Sequence, residues 1–241
     1  MKFTWLLRRI FITRKCVICK EPISYDKKDF FCDECQKQWD TFLETKCHKC
    51  GFKNTECTCL PSLIKDVSKN GASWCVFYDG TSELLANNLV FKLKREYNRD
   101  IIEHVANMMA NNIKLLSSRH GINVKDYVIT YAPRRKSGKS KYGFDHTRAI
   151  AKELGKILGI EVENCFINVG TKEQKSLTKI ERRENAKASY FIKNNICVEG
   201  KRYFVVDDII TSGATMRACV DLLTENGATD IIPVAYAKNN E

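Results

Sequence analysis

Three things are scarce in this 241-residue chain, and each scarcity narrows what it can be. Proline occurs only 4 times and no low-complexity tract is present, so with 44% hydrophobic and 29% charged residues the composition is that of a soluble globular protein, with little disorder beyond its ends. No segment approaches the roughly 18 consecutive apolar residues of a membrane-spanning helix. Acidic charge is outnumbered, with 29 Asp and Glu against 40 Lys and Arg and a formal net charge of +11. Such a field draws phosphates, nucleic acid or an anionic membrane surface without choosing among them, and a nonspecific solvated surface has the same composition.

The first residues, MKFTWLLRRIFITRK, carry Arg8-Arg9 and superficially resemble a twin-arginine export signal. An apolar run of about 7 to 15 residues does not follow, so export is rejected and a cytoplasmic location is expected. The basic and apolar residues before Cys16 suit a short helix packed on the protein itself, with a partner or lipid as the alternative surface.

What the chain has in plenty is cysteine. Of 12 cysteines, eight fall between Cys16 and Cys59, and Cys75, Cys165, Cys197 and Cys219 are scattered. The eight read Cys16-x-x-Cys19, Cys32-x-x-Cys35, Cys47-x-x-Cys50 and Cys57-x-Cys59. A Cys-x-x-Cys presents two thiolates to one tetrahedral ion and two such pairs complete a four-cysteine zinc site, so one or two Zn2+ ions are expected in a reducing compartment. The last pair has a single intervening residue and makes the poorer knuckle. Pairing in sequence or crossed stays open, as do an iron–sulfur cluster, disulfides, and His48 as a substitute ligand or a surface residue. The segment is too short for a large core, so metal would supply its stability.

A module of residues 1–65 is therefore expected in front of an α/β domain of residues 66–241, the boundary falling between about Pro61 and Lys69. In the second part, WCVFY (74–78), YVITY (127–131), YFVVD (203–207) and IIPVAYA (231–237) are short, β-branched and aromatic, like buried strands. Helical patterns cover Ser82 to Arg95, Asp100 to about Ser117 with Asp100 as N-cap, Asp145 to Leu158, and Met216 to Asn226. Strands alternating with helices imply a parallel sheet flanked by helices, with ligands at the carboxyl ends of the strands.

One of those ends is YFVVDDIITSGATM (203–216). An apolar strand ends at Asp207-Asp208, a small-residue loop follows, and Met216 opens a helix. A Gly-containing loop before a helix directs backbone N–H groups at one point and suits a phosphate. Thr211, Ser212 and Thr215 add hydroxyls, and Gly213 lets the backbone approach. Two carboxylates facing a phosphate would repel it, so they are expected to accept from hydroxyls or to help hold a hydrated Mg2+. An exposed turn with an acidic cap is the alternative.

These residues resemble the signature of the type I phosphoribosyltransferases, which bind 5-phosphoribosyl 1-pyrophosphate (PRPP). The resemblance implies that Asp207 and Asp208 take the ribose hydroxyls and serve as the catalytic pair, while Thr211, Ser212, Gly213, Ala214 and Thr215 hold the 5-phosphate. A second basic segment, YAPRRKSGKSKYGF (131–144), places Arg134, Arg135, Lys136, Lys139 and Lys141 after a neighbouring strand, with Gly138 and Gly143 for a flexible turn. It is expected to neutralise pyrophosphate together with Mg2+, a solvated basic loop being the alternative.

Cysteine pairs joined to this signature resemble the ComF family, associated with bacterial DNA uptake in natural transformation, over nearly the whole chain. The family's Tyr-x-Gly and Lys-rich turn appear as Tyr78-Asp79-Gly80 and Lys92-Leu93-Lys94-Arg95, and its Gln-x-x-Leu and Arg-x-x-Asn as Gln174, Leu177, Arg182 and Asn185, followed by Phe191. Its Arg-Gly-Phe-Asn-Gln appears as Tyr142-Gly143-Phe144-Asp145-His146, so an amide pair has become Asp-His. His146 could hydrogen-bond a ligand and carry a proton, or be a surface residue at a helix start.

The resemblance implies a PRPP-binding protein handling imported single-stranded DNA, with contacts to a DNA-uptake helicase or other competence proteins and a place beside the uptake machinery at the membrane. Trp39, Phe42 and Phe52 are available for base stacking or for the module's own core. A conventional phosphoribosyltransferase with another acceptor and a scaffold docking through the cysteine module are the alternatives.

Overall fold

In a computed structural model, residues 14–23, 30–78, 85–170 and 186–240 are described. The expectations placed on the first residues, on Asp79 and Gly80, on the helix start at Ser82, and on Gln174, Leu177, Arg182 and Asn185 lie outside those residues.

At the front, strands β1 (Arg14–Lys15) and β2 (Pro22–Ile23) pair antiparallel and lead to helix α1 (Asp33–Leu43). Cysteine spacing does not announce this helix. Cys32 is its N-cap, with Sγ accepting from the Cys35 N–H at 3.5 Å, and Asp33 and Glu34 in the first turn suit the positive helix end. Its buried face, Cys35, Trp39 and Phe42, joins the main core of the molecule.

Then follow β3 (Ser73–Tyr78), α2 (Leu85–Arg95), α3 (Arg99–His120), β4 (Val128–Tyr131), α4 (Lys136–Tyr142), α5 (His146–Leu158), β5 (Phe166–Asn168), β6 (Tyr190–Ile192), β7 (Arg202–Ile210), α6 (Ala214–Glu225) and β8 (Asp230–Asn239). All four expected strands are present and form one parallel sheet in the order β3-β8-β7-β4. Pro233 lies inside β8, but β3 first pairs at Ser73↔Val234, so β8 has no β3 neighbour there and a missing N–H is tolerated.

Alternation along β7 sends its side chains to two cores. Phe204 and Val206 pack under α2, α3 and α5, whereas Tyr203 and Val205 pack under α6 with Ile64. The sheet is therefore covered on both faces, as a parallel sheet of continuous apolar strands requires.

Several boundaries differ from expectation. The cap of α3 is Asn98, which accepts from the Ile101 N–H at 3.1 Å; Asp100 lies inside the first turn, where its charge suits the helix dipole. Strand β7 runs through Asp207-Asp208 to Ile210, because Ile209 and Ile210 still register with Ala237 and Lys238. Helix α6 begins at Ala214, ahead of Met216. The basic segment expected as a flexible turn contains helix α4, closed by Gly143 at φ 75° with its N–H on the Lys139 carbonyl at 2.8 Å.

Candidate functional site at the strand ends

A cavity of about 420 Å3 opens at the carboxyl ends of β3, β4 and β7. Among the expected residues Asp207, Asp208, Thr211, Thr215, Arg134, Arg135 and His146 line it, and Tyr78, Lys94, Asn168 and Tyr190 complete much of the wall.

The strand alternation that divides the core also separates the two aspartates. Asp208 turns to the α2/α5 side, where its Oδ2 lies 3.0 Å from Lys94 Nζ and 2.7 Å from His146 Nε2. Burial alone would raise its pKa, but Lys94 and His146 outweigh burial and hold the carboxyl well below the usual carboxylate range. Asp207 turns to the α6 side, where burial raises the pKa values of Tyr190 and Cys219 and the nearby Asp207 carboxyl adds to both shifts. Its own pKa is driven well above the ordinary value by burial and then by the charge of Asp208. The pair therefore holds one fixed negative charge, on Asp208, and one carboxyl, on Asp207, that can give or accept a proton in a hydrogen bond to a hydroxyl. His146, which could have been a surface residue, is buried.

The loop after the pair is tied to the front of the chain. Ser212 Oγ accepts from the Ala214 N–H at 3.4 Å, and Gly213 stands at φ 82° as the N-cap of α6. A Cβ at Gly213 would lie 2.9 Å from Ile64 Cγ2, so both backbone conformation and the buried Ile64 require glycine. Arg217, in α6, reaches Asp66 at 3.1 Å and braces the same contact.

The basic residues divide. Arg134 and Arg135 face the cavity, whereas Lys139 pairs with Asp145 at 2.9 Å and Lys136 and Lys141 are exposed. Asp145 caps α5 and also accepts from the Arg134 N–H at 3.0 Å and the Thr147 hydroxyl at 2.9 Å. Burial opposes its charge, yet Lys139, Thr147 and the Arg134 N–H hold its pKa below the ordinary carboxylate value. The Asp-His pair in place of two amides thus serves two side-chain contacts, the ion pair of Asp145 with Lys139 and the hydrogen bond of His146 with Asp208. Lys94 was visible only as part of a Lys-rich turn, and Asn168 and Tyr190 gave no signal; only the folded strand ends bring them together.

The eight front cysteines form two groups, Cys16, Cys19, Cys32 and Cys35, and Cys47, Cys50, Cys57 and Cys59, so the pairs are used in sequence. Within each group the four Sγ atoms lie within 4.8 Å of one another, and tetrahedral zinc at about 2.3 Å from each sulfur needs them roughly 3.8 Å apart. Burial works against thiolates here, but backbone N–H groups of Cys32, Cys19 and Ile18 bring Cys16 down to about 6, and those of Cys50 and Lys49 bring Cys47 to about 6. Each group thus favours a first thiolate through its own backbone, as metal binding requires. Both groups fit Zn2+. His48 belongs to neither; its N–H donates to Asn240 Oδ1. Trp39 and Phe42 are buried, leaving Phe52 as the exposed aromatic of the three.

Residues 141–241 match the family model of the phosphoribosyl transferase domain. The chain is 23% identical over 220 residues to the DNA utilization protein YhgH of Escherichia coli O157:H7, covering 90% of this chain and 93% of that protein. Among solved structures it is similar to a purine phosphoribosyltransferase from Pyrococcus horikoshii (TM-score 0.35, 17% identity, 57% of this chain and 73% of that one). It is similar also to the phosphoribosylpyrophosphate synthetase of Mycobacterium smegmatis (TM-score 0.34, 20% identity), of which it spans 33% while 56% of this chain is covered.

Proposed function

Since the chain belongs to the ComF family, a cysteine module in front of a phosphoribosyl transferase domain, we propose that it binds PRPP with Mg2+ and handles imported single-stranded DNA in natural transformation. The observation that carries the PRPP reading is the meeting, in one strand-end cavity, of the loop hydroxyls of Thr211 and Thr215, the carboxyls of Asp207 and Asp208, and the guanidinium groups of Arg134 and Arg135. In this reading the 5-phosphate sits on the backbone and hydroxyls of residues 211–215 at the start of α6. The ribose hydroxyls meet Asp207, and pyrophosphate faces Arg134 and Arg135. Asp208, already held by Lys94 and His146, fixes the orientation of the pair. Mg2+ bound with PRPP would neutralise pyrophosphate charge, with the two aspartates as its protein ligands through water.

Transferase turnover is the second reading, favoured by the presence of Arg134 and Arg135 in the same cavity as Thr211 and Thr215 of the phosphate loop. A nucleophile would form a bond to the anomeric carbon as the bond to pyrophosphate breaks, and the two arginines would stabilise the departing anion. The DNA role is supported by the YhgH likeness over most of both chains and by the net charge of +11. No helix among the described residues is long and apolar enough to cross a membrane. A place in the cytoplasm beside the uptake machinery, contacts to its helicase, and separate roles for residues 1–65 and 66–241 belong to the same proposal.

Calorimetric titration of the zinc-loaded protein with PRPP and Mg2+, beside an Asp207→Asn variant of intact circular dichroism, tests the reading. Saturable binding by the wild type that the variant loses is expected. A folded wild type that takes no PRPP would overturn it.

A further inference from the structure

Next to Lys94, whose side chain lines the strand-end cavity, the end of α2 and the turn after it carry exposed aromatic residues that the PRPP reading leaves unused. Phe91 and Tyr97 are 50% and 67% exposed, high values for aromatic residues of a folded domain. Each belongs to a pair: the Arg95 guanidinium lies 3.6 Å over the Phe91 ring, and Tyr97 meets Phe144 edge-on at 5.9 Å. Beside them Arg134 lies 4.3 Å over the Tyr142 ring and donates to the Lys94 carbonyl at 2.7 Å, which ties this third pair to the last turn of α2, the turn that carries Arg95. Three ring contacts, two of them with guanidinium groups, are therefore gathered at the end of α2, the turn after it, and the end of α4.

We infer that this cluster is a binding surface for single-stranded nucleic acid, adjoining the PRPP cavity through Arg134. The inference rests on the DNA role proposed above and gives it a location. Exposed rings offer π-faces to unstacked bases, and the arginines beside them meet phosphates and add cation–π contact. A duplex hides its bases from such rings and would meet only the cations. Glu96 also lies here, and its charge is shared with Lys92 at 4.0 Å. The location differs from the front module, where Trp39 and Phe42 are core residues.

The test is fluorescence anisotropy of a labelled oligothymidylate, its duplex with oligoadenylate, and, by sedimentation, vesicles containing phosphatidylserine. The zinc-loaded wild type is compared with Phe91→Ala, Tyr97→Ala, Tyr97→Phe and Arg95→Ala, each checked by circular dichroism and by PRPP titration. Each alanine at an aromatic position is expected to weaken oligothymidylate binding about tenfold, with Tyr97→Phe near wild type and PRPP binding unchanged. Arg95→Ala is expected to lower the salt slope of binding by about one ion. If the wild type binds oligothymidylate and the aromatic variants bind it equally well, the cluster is refuted as the surface and the DNA role survives elsewhere. If the folded wild type binds no oligothymidylate, that role itself fails and the inference with it. Loss of vesicle binding alone in the variants would replace nucleic acid with a lipid surface and overturn the inference.

Discussion

The front module and the sheet domain hold themselves together by different means. In the sheet domain Ile129, Tyr203, Phe204 and Tyr236 are fully buried in two cores, and the strand ends are fixed from both faces. In the front module the strands are two residues long and the eight thiols converge on two points. Hydrophobic burial suffices for the first, whereas the second gathers sulfur atoms that repel once ionised unless a cation lies between them. Yet the two parts touch: Trp39 packs 5.5 Å from His104 of α3, and Cys47 and Cys57 share a cluster with Trp74 and Phe77 of β3. The contrast therefore concerns where order originates, and perturbations can separate the two sources.

The largest effect is expected from metal removal. Structural zinc contributes on the order of 10 kcal/mol to small modules of this kind, so chelation should unfold the front while leaving most of the sheet. Double variants Trp5→Phe/Trp39→Phe and Trp5→Phe/Trp74→Phe provide emission reporters with one tryptophan each, since Trp39 lies with the first cysteine group's core and Trp74 with the second. A red shift of Trp39 emission with preserved far-ultraviolet dichroism is expected. Simultaneous loss of both signals would break the comparison, making the two parts one cooperative unit.

Next comes the aspartate pair, where one strand places two identical side chains in opposite situations. Asp208→Asn removes a buried carboxylate from Lys94 and His146 and is expected to cost about 3 kcal/mol in denaturant unfolding at neutral pH. Asp207→Asn removes a group whose ionised form burial and Asp208 disfavour, so it is expected to stabilise by about 1 kcal/mol while abolishing PRPP binding. The pH dependences oppose each other. A folded pKa below the unfolded value gives Asp208 a contribution present above about pH 4 and lost as pH falls through its folded pKa. A folded pKa above the unfolded value makes Asp207 a burden that grows as pH rises from about 4 through its raised pKa, and that disappears in acid. Variants that shift stability in the same direction would show that strand alternation does not separate the pair.

How much of this was legible follows the same division. The four strands stood out because each is an unbroken β-branched and aromatic run, and the phosphate-loop motif because Asp-Asp, Thr-Ser-Gly-Ala-Thr and a helix are contiguous. Strand alternation could have placed Asp208 with the helices over Phe204 and Val206, but Lys94, Asn168 and Tyr190 enter from other elements and only tertiary packing aligns them. Helix α4 was hidden by Gly138, where the Arg134 side chain fills the space a Cβ would take, 2.6 Å away at Nε. Helix α1 was hidden because its cap is a cysteine, a residue read for metal rather than for helix starts.

Where the two regions meet, Gly213→Ala should be felt at the site more than in the fold. A residue with a Cβ at φ 82° is strained by about 1–3 kcal/mol, and here the methyl also meets Ile64. Stability is expected to drop by about 2 kcal/mol and PRPP affinity to fall with it. Adding Ile64→Ala, which removes the two Cγ atoms the methyl meets, should restore part of the affinity by easing the contact, although the backbone strain remains. No recovery in the double variant would mean that the front segment does not support the loop.

The smallest effect is expected at Asp145. Through Oδ1 Asn can still accept from the Arg148 N–H as an N-cap and from Thr147, so Asp145→Asn keeps the cap of α5, but it loses the charge facing Lys139, which is 43% exposed, and turns an amide N–H toward the Arg134 N–H that Oδ2 accepts from. The expected cost is about 1 kcal/mol at pH 7. Because the Asp145 pKa is lowered on folding, its contribution is present above the ordinary carboxylate range and lost as pH falls through the folded value. The gap between wild type and variant should therefore close in acid. Unfolding curves at pH 7 and about pH 3 check this. A gap that persists at the lower pH would mean that the carboxyl's hydrogen-bond geometry, rather than its charge, holds the entry to α5, and that an amide at this position reshapes the wall beside Arg134.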